Sequence, residues 1–439
     1  MTDKQQQWKT LAIEFAQKIN AYVAKGMSEG WDNVGEQPNS PQLDEALPAL
    51  LGALRKANQG DVRQDVKALW PISYEMIHPL LDDNGQNISA LCALPDGSLL
   101  ARIGATYEPG RVVCIRGDEV TELEDIEFFG RCPQRRFYAI ANAQGIIVTD
   151  GWQGPQVATF SWPQGIEDLP EGISVTPLSG IPRPSQLIPF PDGKRVLLVS
   201  SDGIFVLSQS GVRRLFPTCA QLEQLRDDLA QNEDFADEEL SLGLSMEHGA
   251  ISPDGKLIAV GAQDGRHAVF NDALDCIAQV GPHGEYPHYA LFSADGSHLA
   301  MNACHFYNGA TIAMPTELLP GTDSDYYEDI DGLTVIEPGA RVYAGTARGD
   351  EFILGDAYGY LRAVTADGQS RWQHFIGSTI NAVDISVDGK TLFASTCAGF
   401  ISVIELDAGR QQPYQIGNGG HYEHRRWLFW KSEDLPLAW

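Results

Sequence analysis

One hairpin recurs along this chain, and its repetition limits the fold more than any other feature. Residues 250–270, AISPDGKLIAVGAQDGRHAVF, read as strand, tight turn, strand, tight turn, strand. Variants follow the same plan: LCALPDGSLLARIG from Leu91, LIPFPDGKRVLLVSSDGIFVLS from Leu187, ALFSADGSHLAMNA from Ala290, and AVDISVDGKTLFASTCAGFISVIELD from Ala382. An Asp-Gly pair joins two strands tightly because glycine takes a positive φ without a Cβ penalty. Leu257 and Ala259 fall on one face of their strand, Ile258 and Val260 on the other. Both faces are therefore apolar, which suits a sheet sandwiched between two others. One such unit cannot bury both faces alone, so the units must stack, and a closed ring removes exposed ends.

The markers Asp96-Gly97, Asp192-Gly193, Asp254-Gly255, Asp295-Gly296 and Asp388-Gly389 set the count, and these turns are read as structural. Asp254 and Asp295 are one four-stranded blade apart, about 40–50 residues in propellers. Each of the two long intervals hides a degenerate unit. One is residues 128–151, where Pro133-Gln134 replaces the turn; the other is residues 335–372. The expected fold is mainly β: a seven-bladed propeller of four-stranded antiparallel blades with an N-terminal α-helical extension. The remaining interval carries an insertion at about 219–243, helical in composition at first and then acidic.

Residues 1–75 have a different texture. Trp8, Leu11, Phe15, Ile19 and Tyr22 form one apolar stripe at helical spacing. Gly26 and Gly30 are its candidate stops. Ser40-Pro41 reads as a second helix start, with Leu43, Leu47, Leu50, Leu51 and Leu54 on the buried face and Pro48 bending or delaying it. Val62 to Trp70 is read as a third, shorter helix. The propeller is assigned to residues 76–420. Residues 421–439 form an aromatic tail, either a closing strand or clamp, or a binding surface built on Trp427 and Trp430 beside Arg425, Arg426 and Lys431.

The repeats resemble those of the WD40/YVTN-like β-propeller superfamily, whose blades carry a similar turn. Here it is Ser252-Pro253-Asp254-Gly255-Lys256 and Ser386-Val387-Asp388-Gly389-Lys390. The resemblance spans about residues 87–416 and implies the fold rather than a function. The WD dipeptide and Gly-His pair of strict WD40 repeats are absent, and Glu405-Leu406-Asp407 stands near the place of the former.

Charge narrows the partners. Thirty-one Lys+Arg against 59 Asp+Glu give a formal net charge of -28. Such a field repels nucleic acid and anionic membranes and favours a basic protein or a cation. Seven scattered cysteines without a C-x-x-C pair fit thiols in a reducing compartment. The N-terminal MTDKQQQWKT has no basic segment followed by an apolar run, and no stretch approaches a membrane span. A cytoplasmic location is expected.

Catalytic signatures are missing: there is no G-x-S-x-G, H-E-x-x-H, Walker phosphate loop or dinucleotide-binding glycine set. No cofactor is expected. Asp323, Asp325, Glu328, Asp329 and Asp331 form an acidic run that is either a solvated loop or a Ca2+ site. His283, His288, His298 and His305, with Cys304, could meet at a metal, although their spacing matches no ligand pattern. Arg348-Gly349-Asp350 is read as a coincidental tripeptide.

Two functions follow. In the first, the chain is a non-enzymatic scaffold that binds a basic protein partner, in one version neutralising it as an immunity-type protein would. Its candidate contacts are Asp227, Asp228, Glu233, Asp234, Asp237, Glu238, Glu239, Trp427 and Trp430. In the second, it is a lactonase-like enzyme or small-molecule binder with a divalent cation in a central channel.

Overall fold

The computed structural model describes residues 2–59, 65–231 and 242–439. Seven antiparallel sheets, each a meander in chain order, stand around an axis. They span residues 88–123, 128–160, 184–216, 248–280, 286–337, 342–375 and 380–438. Six have four strands; the last has a short fifth, Leu437–Ala438. This is the seven-bladed β-propeller expected from the turn spacing, and both worn units are true blades.

Strand alternation supplies the packing. Ile258 and Val260 face blade three, where they meet Leu197 and Val199. Their neighbour Ala259 faces blade five and packs with Leu299 and Met301. Each such large aliphatic side chain contributes roughly 1.5–3 kcal/mol on burial, and every blade repeats the arrangement.

The ring closes without a shared strand. The innermost strand of blade one, Ile88–Ala93, packs directly beside that of blade seven, Ile380–Ile385. The two ends of the chain are clipped instead. Gln86 N donates to Phe429 O at 3.0 Å, and Lys431 N donates to Asn84 O at 2.7 Å. The tail is both closing strand and clamp: Tyr422–Leu428 is the fourth strand of blade seven, and Trp439 Nε1 donates to Trp70 O at 2.7 Å.

Helix α1 (Asp3–Glu29) begins at a capping box, with Thr2 and Gln5 bonding each other's backbone N–H. It runs through Gly26, which lies beneath the Trp31 ring, and stops at Gly30, where φ is 87°. Pro48 delays helix α2 (Leu47–Ala57) behind a 3-10 turn at Asp44–Ala46. Of the helix expected over Val62 to Trp70, residues 62–64 lie outside the described residues and Lys67–Leu69 form a turn; short helices follow at α3 (Tyr74–Ile77) and α4 (Leu81–Asn84). The helices dock on the propeller. Trp8, Leu50, Leu54 and Trp70 share one core with Phe400, Leu428, Trp430 and Trp439, and Phe15 and Ile19 meet Ile416.

Candidate functional site: a tied turn face and an open aromatic mouth

The Asp-Gly turns lie on one face of the ring, and each Asp serves its own turn. Asp254 Oδ1 accepts from Ser252 Oγ at 2.7 Å and from Lys256 N at 3.1 Å; Asp388 does the same with Ser386 and Lys390. Asp96, Asp192 and Asp295 likewise accept from the N–H two residues on. These bonds favour the carboxylate, and Asp295 is held down at about 2, first by the Ser297 N–H. Gly97, Gly193, Gly255, Gly296 and Gly389 all have positive φ. In blade two Arg135 occupies the glycine position with φ 62°, and in blade six Arg348-Gly349-Asp350 is simply the turn.

The worn turn of blade two has a second use. Arg131 donates to Asp384 Oδ1 and to Ala93 O, both at 2.9 Å, and Asp384 Oδ2 accepts from Ala93 N at 2.6 Å. Arg135 donates to Ile385 O at 2.7 Å, and Gln134 Nε2 to Pro253 O at 3.0 Å. Blades one, two, four and seven are thereby tied across the turn end of the channel. Burial works against the Arg131 charge, but Asp384 more than offsets it and the guanidinium pKa is raised.

Above this tie lies a central cavity of about 780 Å³, lined by the innermost strands of all seven blades. Its titratable lining includes Arg131, Asp384, Glu247, His248, His288 and Arg341. Burial raises the Glu247 pKa and holds His248 down at about 4 and His288 at about 3. Arg341 Nη2 donates to His288 Nε2 at 3.0 Å, and the guanidinium lies 4.6 Å from the Tyr343 ring centre.

The opposite face carries exposed aromatics. Tyr107 (74% exposed) rides on the 104–110 loop; Phe306 (73%) and Tyr307 on the blade-five loop; Tyr358 on the blade-six loop. Each loop joins the second and third strands of its blade, so all point to one side. Tyr326 and Tyr327 arrive there by a different route. Residues 321–325 run along the outer strand of blade four, with Gln279 N donating to Thr322 O and Ser324 N to Gln279 O. The tip reaches the mouth, where Tyr326 Oη donates to Gly265 O at 2.7 Å. None of these loops contains a lysine, whereas Lys194, Lys256 and Lys390 mark the turn face. The 104–110 loop is riveted by Arg102, which donates to Ser89 Oγ and to the carbonyls of Gly104, Ala105 and Glu108.

This placement revises several expectations. Trp427 and Trp430 are 2% and 1% exposed, and so offer no binding surface: their apolar area is used in the core between blade seven, blade one and the helices. Arg425 pairs with Asp118, and Arg426 with buried Glu423. Asp227 and Asp228 are exposed on α5 (Cys219–Gln231), the insertion helix. Glu233, Asp234, Asp237, Glu238 and Glu239 lie outside the described residues.

The acidic run does not form a cage. Asp323 pairs with Arg266, Glu328 Oε2 accepts from Asp325 N, and Asp329 and Asp331 are exposed. His283, His298 and His305 bond to Glu328 O, Ser297 and Glu285, while His288 faces the cavity alone of the four. Among the described residues, no three His, Cys, Asp or Glu side chains are grouped to hold a metal. Among the described residues, too, no helix is long and apolar enough to cross a membrane.

Fold and site together define a seven-bladed propeller with docked N-terminal helices, a cavity tied at one end and an aromatic mouth at the other. No protein-family model and no curated protein matches the sequence. Among solved structures of similar shape is the Kuenenia stuttgartiensis hydrazine synthase, at 14% identity. The alignment covers 74% of this chain and 96% of that one, with a TM-score of 0.45. At that level no property of the enzyme transfers to this chain.

Proposed function

We propose that the protein is a non-enzymatic interaction module that binds a basic protein through its aromatic mouth. The observation that carries this reading is the gathering of Tyr107, Phe306, Tyr307, Tyr326, Tyr327 and Tyr358 on one face, exposed and without a lysine among their loops. Aromatics enriched and lysines depleted are the compositional mark of an interface centre. Asp325 and Glu328 flank two of these rings, and the net charge of -28 steers a cationic partner toward them. The acidic insertion would extend the same contact through Asp227 and Asp228. Neutralising a basic partner by covering its active surface is the sharper form of this reading. The SPDGK-type turns support grouping the chain with WD40/YVTN-like propellers.

The test is capture of a partner by the tagged protein at low and moderate salt, beside a Tyr107→Ser, Phe306→Ser, Tyr307→Ser variant. The expected result is one basic protein that leaves as salt rises and is not retained by the variant. Equal retention by both proteins would remove the mouth as the contact.

A further inference from the structure

Two hydrogen-bond donors on residues that line the cavity find no acceptor on any other described residue. Arg341 donates from Nη1 to Phe306 O at 3.1 Å and from Nη2 to His288 Nε2 at 3.0 Å, while its Nε reaches no acceptor. Because His288 Nε2 accepts, the neutral ring carries its proton on Nδ1. That N–H is buried, turned to its own backbone, and has no partner on any other described residue. Both residues line the cavity. Unmet buried donors are costly and mark places where something else accepts.

Charge points the same way. The other arginine lining the cavity, Arg131, is neutralised by Asp384 at 2.9 Å. Arg341 forms no ion pair with a carboxylate among the described residues. One guanidinium is therefore left without a counter-charge beside a second donor, a combination that suits the two oxygens of a carboxylate. The neighbouring wall is apolar and aromatic, with Tyr289, Leu291, Tyr343 and Ala344. The volume falls in the range of about 300–1,000 Å³ usual for small-molecule pockets.

We infer that the cavity binds a small organic monocarboxylate, its carboxylate received by Arg341 and His288 and its ring or chain lying along Tyr289 and Tyr343. One charge is specified because one guanidinium is free of a carboxylate, and Glu247 on the same cavity wall opposes a second negative charge. The site adjoins the aromatic mouth, since Tyr107 also lines the cavity and Arg341 Nη1 donates to Phe306 O, but it does not depend on a protein partner.

Ligand-observed NMR with benzoate, and with benzyl alcohol as its uncharged counterpart, tests this on the full chain. Benzoate should bind at millimolar concentration or better and benzyl alcohol at least tenfold more weakly. Arg341→Gln should weaken benzoate at least tenfold, whereas Arg371→Gln on the turn side of blade six should not. His288→Phe keeps an aromatic ring, loses the donor, and provides the same reading if Arg341→Gln fails to fold. No benzoate binding to the native protein, or binding unchanged in His288→Phe and Arg341→Gln, overturns the inference.

Discussion

Asn58 and Ala438 exchange two hydrogen bonds although 380 residues separate them, Asn58 Nδ2 to Ala438 O at 2.9 Å and Ala438 N to Asn58 Oδ1 at 2.8 Å. The helical extension and the last strand thus hold each other, and with the clip at residues 84–86 and 429–431 they stand in for the strand exchange that this ring lacks.

Asn58→Ala should lower stability by about 1–3 kcal/mol, because it strands the Ala438 N–H and carbonyl in a part-buried place. Urea denaturation read by tryptophan fluorescence measures it. A midpoint equal to that of the native chain would mean that the helices do not hold the ring closed.

Asp384→Asn should cost about 3–5 kcal/mol, the usual consequence of leaving a buried arginine without its partner. The exposed pair Arg136–Asp150 is the control: Asp150→Asn should leave the denaturation midpoint where it was. Equal effects would place the Arg131–Asp384 pair in solvent-like surroundings.

Gly255 has φ 76°, and a Cβ there would sit 2.9 Å from Pro191 Cδ of the preceding blade. Gly255→Ala should destabilise by about 1–2 kcal/mol from left-handed backbone alone, more if Pro191 cannot yield. Thermal unfolding of the variant beside the native protein checks the direction.

Acid should weaken the ring through buried imidazoles. His248 Nε2 and His267 Nδ1 are 3.1 Å apart, and burial holds the first at about 4 and the second well below its ordinary value. Burial likewise holds His374 at about 4. These folded-state values lie below the roughly 6.5 of an unfolded histidine, so the unfolded chain takes up protons first as pH falls. Their contribution is complete above that pH and is lost as pH falls towards about 4, with about 3 kcal/mol from His248 alone. Denaturation midpoints at about pH 7 and pH 5 should therefore differ, and His248→Phe should shrink the difference. A flat profile would show that water reaches the pair.

Much of the architecture is written locally. Asp254, Gly255 and their counterparts announce five of the seven hairpins because turn chemistry needs only four or five consecutive residues. Ile258 and Ala259 announce two buried faces because alternation is a property of one strand. Residues 128–151 needed the count of their neighbours to be recognised, since Arg135 performs a glycine's turn with a side chain committed elsewhere.

The site was not legible in this way. Tyr107, Phe306 and Tyr358 stand in three separate loops with no shared spacing, and become one surface only when the ring sets those loops on the same side. His288 was visible as one of four histidines, but Arg341, 53 residues further on, carried no signal. Trp427 and Trp430 could be read as clamp or as binding surface until blade one was seen to cover the first and the N-terminal helices the second. The sequence determined the unit, its number and its stacking, which follow from turns and alternation within single strands. Only the tertiary structure decided how the ring ends meet, which face is tied and which donors go unmet, because those depend on side chains brought together from blades far apart in the chain.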